Sequence, residues 1–153
     1  MNIRISTLSD IEEIVNQKIL LWEYEKSIAN FKIEIPSREE ITREVNNFYN
    51  ENKRVIVLEI DWKIEWFAYW CIEKSSNYIK DYEKTWYIDA IHVNEKYRGN
   101  WYWEKLIEEI IKWLNSEWID FLQLWVLSTN QWAIKLYEKY WFKTFYYRMK
   151  REK

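Results

Sequence analysis

Two pieces of the chain, Ile91-His92-Val93 and Tyr97-Arg98-Gly99-Asn100-Trp101-Tyr102-Trp103, stand directly before a long helical pattern. The first piece ends a β-prone run that begins near Lys84 and predicts a strand. A helix is predicted over Trp103–Ser116, because its apolar residues recur at the spacing of one helix face. These residues are Leu106, Ile107, Ile110, Ile111 and Leu114. The sequence therefore predicts a strand, a loop and a helix in that order.

The rest of the chain alternates between strand-like and helix-like patterns. The other predicted elements are a strand Ile3–Ser6, a helix from a Ser9/Glu12 capping box to Tyr24, a helix from Pro36 to Asn50 with a Ser37/Glu40 capping box, strands Arg54–Ile60 and Ile64–Ile72, a third strand Lys84–Val93, a strand Phe121–Leu127, a helix Gln131–Tyr140 and a final strand Phe142–Met149. The order is β-α-α-β-β-β-α-β-α-β, without repeats or linkers. We predict one α/β (α+β) domain over residues 1–153 with a mixed central sheet.

Tryptophan and glycine occur in unusual numbers. The chain has 12 Trp and 1 Gly, whereas an average chain of this length has about 11 glycines. Trp62 follows Asp61 between two predicted strands, where Asp-Gly would form a tight turn with positive φ. Trp118 and Trp141 each stand just past a predicted helix, where glycine adopts the left-handed conformation.

We hypothesise that ten of the tryptophans replace glycines of the native protein. A codon that the host reads as glycine, with UGA as the candidate, would then have been translated as tryptophan. The ten positions are 62, 66, 70, 86, 101, 103, 118, 125, 132 and 141. Ten glycines added to the single Gly99 give the average content. Trp22 and Trp113 lie inside helical patterns and are kept as tryptophan.

The competing interpretation takes the tryptophans as real. Trp62, Trp66 and Trp70 recur every four residues, as in a helical stripe or an aromatic platform for sugars. Their neighbours, residues 55–57 and 67–69, are β-prone and favour two strands around a turn instead.

Three motifs resemble those of one enzyme family. With glycine at positions 101 and 103, residues 98–103 read R-G-N-G-Y-G, which resembles the motif Q/R-x-x-G-x-G/A of the GNAT family of N-acetyltransferases. Residues 130–142 are similar to the family's N-x-x-A-x-x-L-Y-x-x-x-G-F and depart from it at Trp141. Residues 61–68 resemble its D-G-K-x-x-G-x-A turn. The resemblance covers residues 54–149, with a looser match before them.

The resemblance implies acetyl-CoA as cosubstrate. Backbone N–H groups of the loop and the positive end of the following helix dipole would bind the pyrophosphate. The family fold has a splayed pair of parallel strands, here residues 86–93 and 121–127, and pantetheine would lie between them. The residues implied at the cofactor are Ile91, His92, Val93, Arg98, Gly99, Asn100, Trp101, Tyr102, Trp103, Asn130 and Tyr137.

The reaction implied is transfer of the acetyl group to a primary amine by direct attack, without a metal or a covalent enzyme intermediate. By resemblance, the Tyr137 hydroxyl protonates the departing thiolate, and the alternative is a buried structural tyrosine. A base must deprotonate the substrate ammonium, and Asp89 is the first candidate. His92, the single histidine, is either a packed residue or a base.

The composition of the chain limits the classes of molecule that we expect it to bind. The net charge of −2 disfavours nucleic acid, and no apolar run is long enough to cross a membrane. A lone Cys71 and the lack of a secretory pattern lead us to expect a cytoplasmic protein. The acceptor is a small-molecule or a protein or peptide amine, and the protein is a monomer or a homodimer.

Two rival functions remain at this point. If Trp101 and Trp103 are real, their bulk would leave a protein of this fold that cannot bind coenzyme A. The other rival, from a different class, is an aromatic-rich module that binds sugars or peptides.

Overall fold

Strands and helices follow one another in the predicted order as far as the last helix. The computed structural model describes residues 2–49, 53–74, 84–94, 96, 102–116, 121–147, 149 and 151. Its elements are β1 (Asn2–Ile5), a 3₁₀ turn (Leu8–Asp10), α1 (Ile11–Ile28), α2 (Arg38–Asn47), β2 (Lys53–Ile60), β3 (Lys63–Lys74), β4 (Lys84–Val93), α3 (Tyr102–Ser116), β5 (Leu122–Leu124) and α4 (Gln131–Lys139).

The five strands form one sheet in the order β1-β2-β3-β4-β5. The first four strands pair antiparallel, and β5 pairs parallel to β4. This confirms the predicted mixed central sheet. A parallel pair needs a crossover between its strands, and α3 lies in that connection.

Helices cover both faces of the sheet. Side chains of α1 and α2, such as Ile14 and Ile41, pack with Phe67 on one face. Side chains of α3 and α4, such as Leu106 and Ala133, pack on the other. Because both faces are covered, the strands carry apolar residues on both sides, as in the run Phe67-Ala68-Tyr69.

Of the two predicted capping boxes, one is confirmed and one is wrong. At α2 the Ser37 hydroxyl accepts from the Glu40 N–H at 3.3 Å, and the Glu40 carboxylate accepts from the Ser37 N–H at 2.8 Å. Before α1 the cap is Thr7 with Asp10, whose carboxylate accepts the Thr7 N–H at 2.7 Å. Arg4 also binds this carboxylate at 2.7 Å. The observed cap therefore lies two residues before the predicted pair, Ser9 and Glu12.

The predicted final strand Phe142–Met149 is wrong over residues 142–147 and 149, where the chain has no regular structure. Its rings lie beside those flanking β5 instead. Phe145 stands 5.8 Å from Phe121, and Tyr146 stands 6.0 Å from Trp125, measured between ring centroids. The predicted strand Phe121–Leu127 is shortened to the three residues of β5. So short a strand offers little backbone for a further ladder.

Tryptophan occupies two of the positions where we predicted glycine geometry. Trp62 has φ 65° and Trp141 has φ 69°, both in the left-handed region, and Asp61 has φ 50°. Both indoles are exposed. The prediction of positive φ is confirmed at these two sites, and Trp118 lies outside the described residues.

The buried tryptophans argue against an aromatic platform. Trp66 and Trp70 lie in β3, not in a helix, with 0% and 2% of their surface exposed. Both belong to the cluster under α3 and α4, and Trp70 packs 5.2 Å from Trp113 of α3. A ligand in solvent cannot stack on them. Trp86 lies in β4 and Cys71 lies in β3. The side chains of these two residues are not among those that the structure describes.

Candidate active site

The parallel strands β4 and β5 separate after a short paired region. Their register joins Trp86 to Leu122, Tyr87 to Gln123 and Ile88 to Leu124, and the ladder ends there. Residues 89–93 of β4 therefore continue without β5 beside them. The two strands therefore separate along this stretch, which is where the resemblance placed the splayed pair.

A β-bulge lies at the point of separation. On β3, Tyr69 pairs with Ala90 and Trp70 pairs with Ile88, so the β3–β4 register skips Asp89. A bulge bends its strand and turns a side chain away from the regular alternation. Ile88 packs under α3 and α4 and Ala90 packs under α1 and α2, while Asp89 between them is exposed.

The gap between β4 and β5 opens into a cavity that α1 and α4 also line. The cavity brings together residues that are far apart in the sequence: Leu21, Tyr24 and Glu25 of α1, Ile88–Val93 of β4, Leu124–Leu127, Asn130, Trp132, Ala133 and Tyr137. Six of the predicted site residues line this one cavity, namely Asp89, Ile91, His92, Val93, Asn130 and Tyr137.

Tyr137 lies in the second turn of α4 and has 8% of its surface exposed. Its hydroxyl forms no hydrogen bond to any residue that the structure describes. Burial raises the pKa of this hydroxyl well above its usual range, and the charge of Glu25 raises the pKa further. The neutral phenol is therefore present at every ordinary pH and can donate a proton.

Asn130 has its side-chain oxygen committed to the fold. As the N-cap of α4 it accepts from the Ala133 N–H at 3.3 Å, and the Tyr24 hydroxyl donates to the same oxygen at 3.3 Å. This orients the amide group, since the oxygen faces two donors. Among the described residues the NH₂ group has no acceptor, and it can donate to a ligand in the cavity.

His92 lines the cavity but is mostly packed. It has 2% of its surface exposed, and its ring lies nearly parallel to Phe67 with 6.3 Å between centroids. Ile91 and Val93 are buried on the other face of β4. Their predicted contribution is through backbone groups, which does not require exposed side chains.

Glu25 is the cavity residue that sequence reasoning missed. Its carboxylate is half-buried in the last turns of α1. Burial raises its pKa, Lys18 lowers it and Asp89 raises it again. Acids outnumber bases in the sequence between Asp10 and Glu51, which includes Glu25, and such a pattern is typical of a solvated helix surface. The helical phase that puts Glu25 inward becomes clear only once α1 packs beside β4.

The predicted pyrophosphate loop is described in part. Arg98, Gly99, Asn100 and Trp101 lie outside the described residues, and Tyr102 and Trp103 begin α3 with side chains outside the description. Before the loop, buried Glu65 of β3 binds Lys96 at 2.6 Å and Asn94 at 3.0 Å. The chain thus leaves β4 from an anchored position.

The described residues contain no group of three or more His, Cys, Asp or Glu side chains placed to hold a metal ion. Nor does any described helix combine the length and apolar character needed to cross a membrane.

Comparison with known proteins agrees with this geometry. A sequence model of the Acetyltransferase (GNAT) family matches residues 19–142. No curated protein sequence matched the chain. Among solved structures, a tetramutant of the BH1408 protein from Bacillus halodurans has 20% identity and a TM-score of 0.81, with 99% of each chain covered. A predicted acetyltransferase with acetyl-CoA from Clostridium acetobutylicum has 18% identity and a TM-score of 0.79, with 99% of this chain and 95% of that one covered.

An aminoglycoside N-acetyltransferase in complex with CoA has 13% identity and a TM-score of 0.78, with 99% of this chain and 93% of that one covered. At these identities the structural matches show the shared fold. The sequence model covers most of the chain and shows more: this protein belongs to the GNAT family of acetyltransferases.

Proposed function

We propose that the protein transfers an acetyl group from acetyl-CoA to a primary amine by direct attack. The observation that carries this proposal is the cavity at the β4–β5 separation, which holds an exposed carboxylate, Asp89, and a buried neutral phenol, Tyr137. A proton acceptor and a proton donor are the two groups that aminolysis of a thioester needs. Two structures of the same fold contain CoA or acetyl-CoA, which supports acetyl-CoA as the donor here.

The cosubstrate would lie along the open side of β4. Backbone groups of Ile91, His92 and Val93 would bind the pantetheine amides, and the Asn130 NH₂ group would donate to the same molecule. The loop from Arg98 to Trp103 would bind the pyrophosphate through backbone N–H groups at the start of α3. The stretch of β4 beyond its ladder with β5 and the oriented amide of Asn130 fit this role.

In the proposed reaction the amine must first lose a proton, because an aliphatic amine is almost wholly protonated near neutral pH. Asp89 accepts that proton through water. The free nitrogen attacks the thioester carbon, and the tetrahedral intermediate collapses with cleavage of the carbon–sulfur bond. Tyr137 gives its proton to the departing sulfur and regains one from solvent. An acetamide and free CoA are the products.

The test is Tyr137→Phe, assayed for release of CoA in the presence of a panel of primary amines. We expect kcat to fall by roughly 10²–10⁴, the usual size of a general-acid contribution, with little change in the affinity for acetyl-CoA. Tyr140→Phe is the matched control, because its hydroxyl binds Glu108 outside the cavity. Full kcat in Tyr137→Phe would show that the acid is another group.

The base is tested separately by Asp89→Asn. We expect this variant to change the acidic limb of the pH–rate profile, with partial rescue at high pH, where free amine accumulates. An unchanged profile would move the role to His92 or to a chain of waters.

We also propose that glycine stands at the ten named tryptophan positions in the native protein. The positive φ values of Trp62 and Trp141 support this. If Trp101 and Trp103 are instead real, two indoles fill the space of the pyrophosphate. The double variant Trp101→Gly/Trp103→Gly should then bind acetyl-CoA in a calorimeter where the unaltered chain does not. Equal affinity of both proteins would refute the steric argument.

A further inference from the structure

Glu25 is a charged group in the cavity that the proposed reaction does not use. It lies in the last turns of α1, and its carboxylate is half-buried. It forms no side-chain hydrogen bond or ion pair within the described part of the chain. A half-buried carboxylate without such a partner is costly to keep ionised.

The groups around Glu25 do not neutralise it. On α1, Lys18 is the nearby cation, but its ammonium binds Glu44 of α2 at 2.6 Å. From β4 comes a second carboxylate, Asp89, with His92 beside it, and from α4 comes the neutral hydroxyl of Tyr137. The described lining therefore brings two carboxylates, one from α1 and one from β4, into one cavity.

Tyr137 independently indicates that this cavity accepts a ligand with hydrogen-bonding groups. With 8% of its surface exposed it is more than nine-tenths buried, and its hydroxyl has no hydrogen-bond partner among the described residues. Buried polar groups are normally paired. A carboxylate and a hydroxyl that lack partners in one cavity are both met by a bound group with N–H donors.

We propose that Glu25, together with Asp89, binds the acceptor through its positive charge and selects aliphatic amines that carry no carboxylate of their own. This rests on the proposed acetyl transfer and names its acceptor class. An ammonium group bound in the cavity would donate its N–H groups to the Glu25 carboxylate, with the Asp89 carboxylate on the same lining. An acceptor with its own carboxylate, such as an amino acid, brings a third negative charge into the same space and is repelled.

The raised pKa of the Glu25 carboxylate fits this role. Burial raises the pKa of Glu25, and Asp89 raises it further against the opposing effect of Lys18. The carboxylate becomes protonated as pH falls through this raised pKa, and it then no longer pairs with an ammonium group. Amine binding should weaken over that acidic range.

The experiment measures binding to the full chain without acetyl-CoA, by calorimetry or NMR titration. The probes are pentane-1,5-diamine and 5-aminopentanoate, which share a five-carbon chain and differ by one ammonium against one carboxylate. We expect the diamine to bind at least about tenfold more tightly. Glu25→Gln should weaken diamine binding by about 10- to 100-fold, as expected when one partner of a charged hydrogen bond is removed.

Glu23→Gln is the matched control, since Glu23 lies on the same helix but is exposed and outside the cavity. Its diamine affinity should equal that of the unaltered chain. Diamine binding that is undetectable, that is unchanged in Glu25→Gln or that is no tighter than binding of 5-aminopentanoate overturns the proposal.

Thermal unfolding separates a binding role from a structural one. A carboxylate whose pKa is raised in the folded state costs stability above that pKa, so Glu25→Gln should raise Tm at neutral pH. A structural carboxylate would give a lower Tm on substitution, and that result also counts against the proposal. If diamine binds in a Glu25-dependent way but no acetylated amine forms with acetyl-CoA, the proposed function fails while the amine site stands.

Discussion

Single residues show most directly where this chain departs from an ordinary globular sequence. Trp62 and Trp141 adopt φ values of 65° and 69°, in a region where a residue with a Cβ atom is strained. Their indoles are 94% and 88% exposed, so packing does not compensate. Neither indole stabilises the folded state, and glycine at both sites would remove the backbone strain.

The first prediction is that Trp62→Gly and Trp141→Gly each raise the free energy of unfolding by about 1 kcal/mol. Strain of about 1–2 kcal/mol is removed, and the greater freedom of glycine in the unfolded chain offsets about 0.5–1 kcal/mol of it. Trp132→Gly is the control, because Trp132 lies within α4, where glycine costs about 1 kcal/mol. Denaturant titration should show opposite shifts, and a loss of stability in all three variants would contradict the argument.

The cavity residues that belong to a sequence motif were predicted, whereas the cavity residues that only helix packing brings there were missed. Asp89, Asn130 and Tyr137 follow from strand position and motif, and all three line the cavity. Glu25 and Tyr24 come from α1, a helix whose sequence pattern gives no sign of what its last turns face. Their position depends on how α1 packs beside β4, which no local spacing encodes.

At the level of elements, strong periodic patterns in the sequence predicted the strands and helices correctly, and weak patterns did not. The hairpin strands and α3 appear within a residue or two of their predicted limits. The predicted strand Phe142–Met149 relied on aromatic content, but its rings contact those near β5 without a backbone ladder. Strand formation needs a partner edge, and β5 is too short to offer one.

The start of α1 gives the second prediction. Arg4 and the Thr7 N–H lower the pKa of Asp10 to about 2, and Arg4 has the larger effect. A carboxylate with a lowered pKa adds stability above its unfolded pKa near 4, and that stability is lost as pH falls toward 2. Asp10→Asn should therefore lower the free energy of unfolding by about 1–2 kcal/mol at pH 7, with a smaller difference near pH 2.

Glu12→Gln is the control for this variant. Glu12 belongs to the cap that the sequence predicted, and its side chain is 87% exposed in the structure. Its substitution should change stability by less than about 0.5 kcal/mol. A larger loss in Glu12→Gln than in Asp10→Asn would favour the cap predicted from sequence over the one observed.

For the molecule as a whole, the cavity of the candidate site depends on a sheet that helices cover on both faces and that opens where β5 separates from β4. The bulge at Asp89 and the end of β4–β5 pairing coincide. At this opening α1 from one face and α4 from the other line the same cavity, and Tyr24 binds Asn130 across it. A continuous sheet would keep the two helices apart, so the separation of the strands is what brings Glu25 near Tyr137.

The last prediction concerns all ten tryptophan positions together. Trp66 and Trp70 fill the space between β3 and the helices on that face, so Trp70→Gly alone should cost about 3–5 kcal/mol through the cavity it leaves. With glycine at both positions α3 can move toward the sheet, and strain at the two positive-φ sites is also removed, so the effects are not additive. We expect the ten-glycine protein to unfold at higher denaturant than the tryptophan protein. We also expect the ten codons to be identical in the gene and different from that of Gly99, and the mass of the protein from its own host to match glycine at each. Ordinary tryptophan codons with a mass matching 12 tryptophans, or equal unfolding midpoints for the two proteins, would show that the indoles belong to the fold.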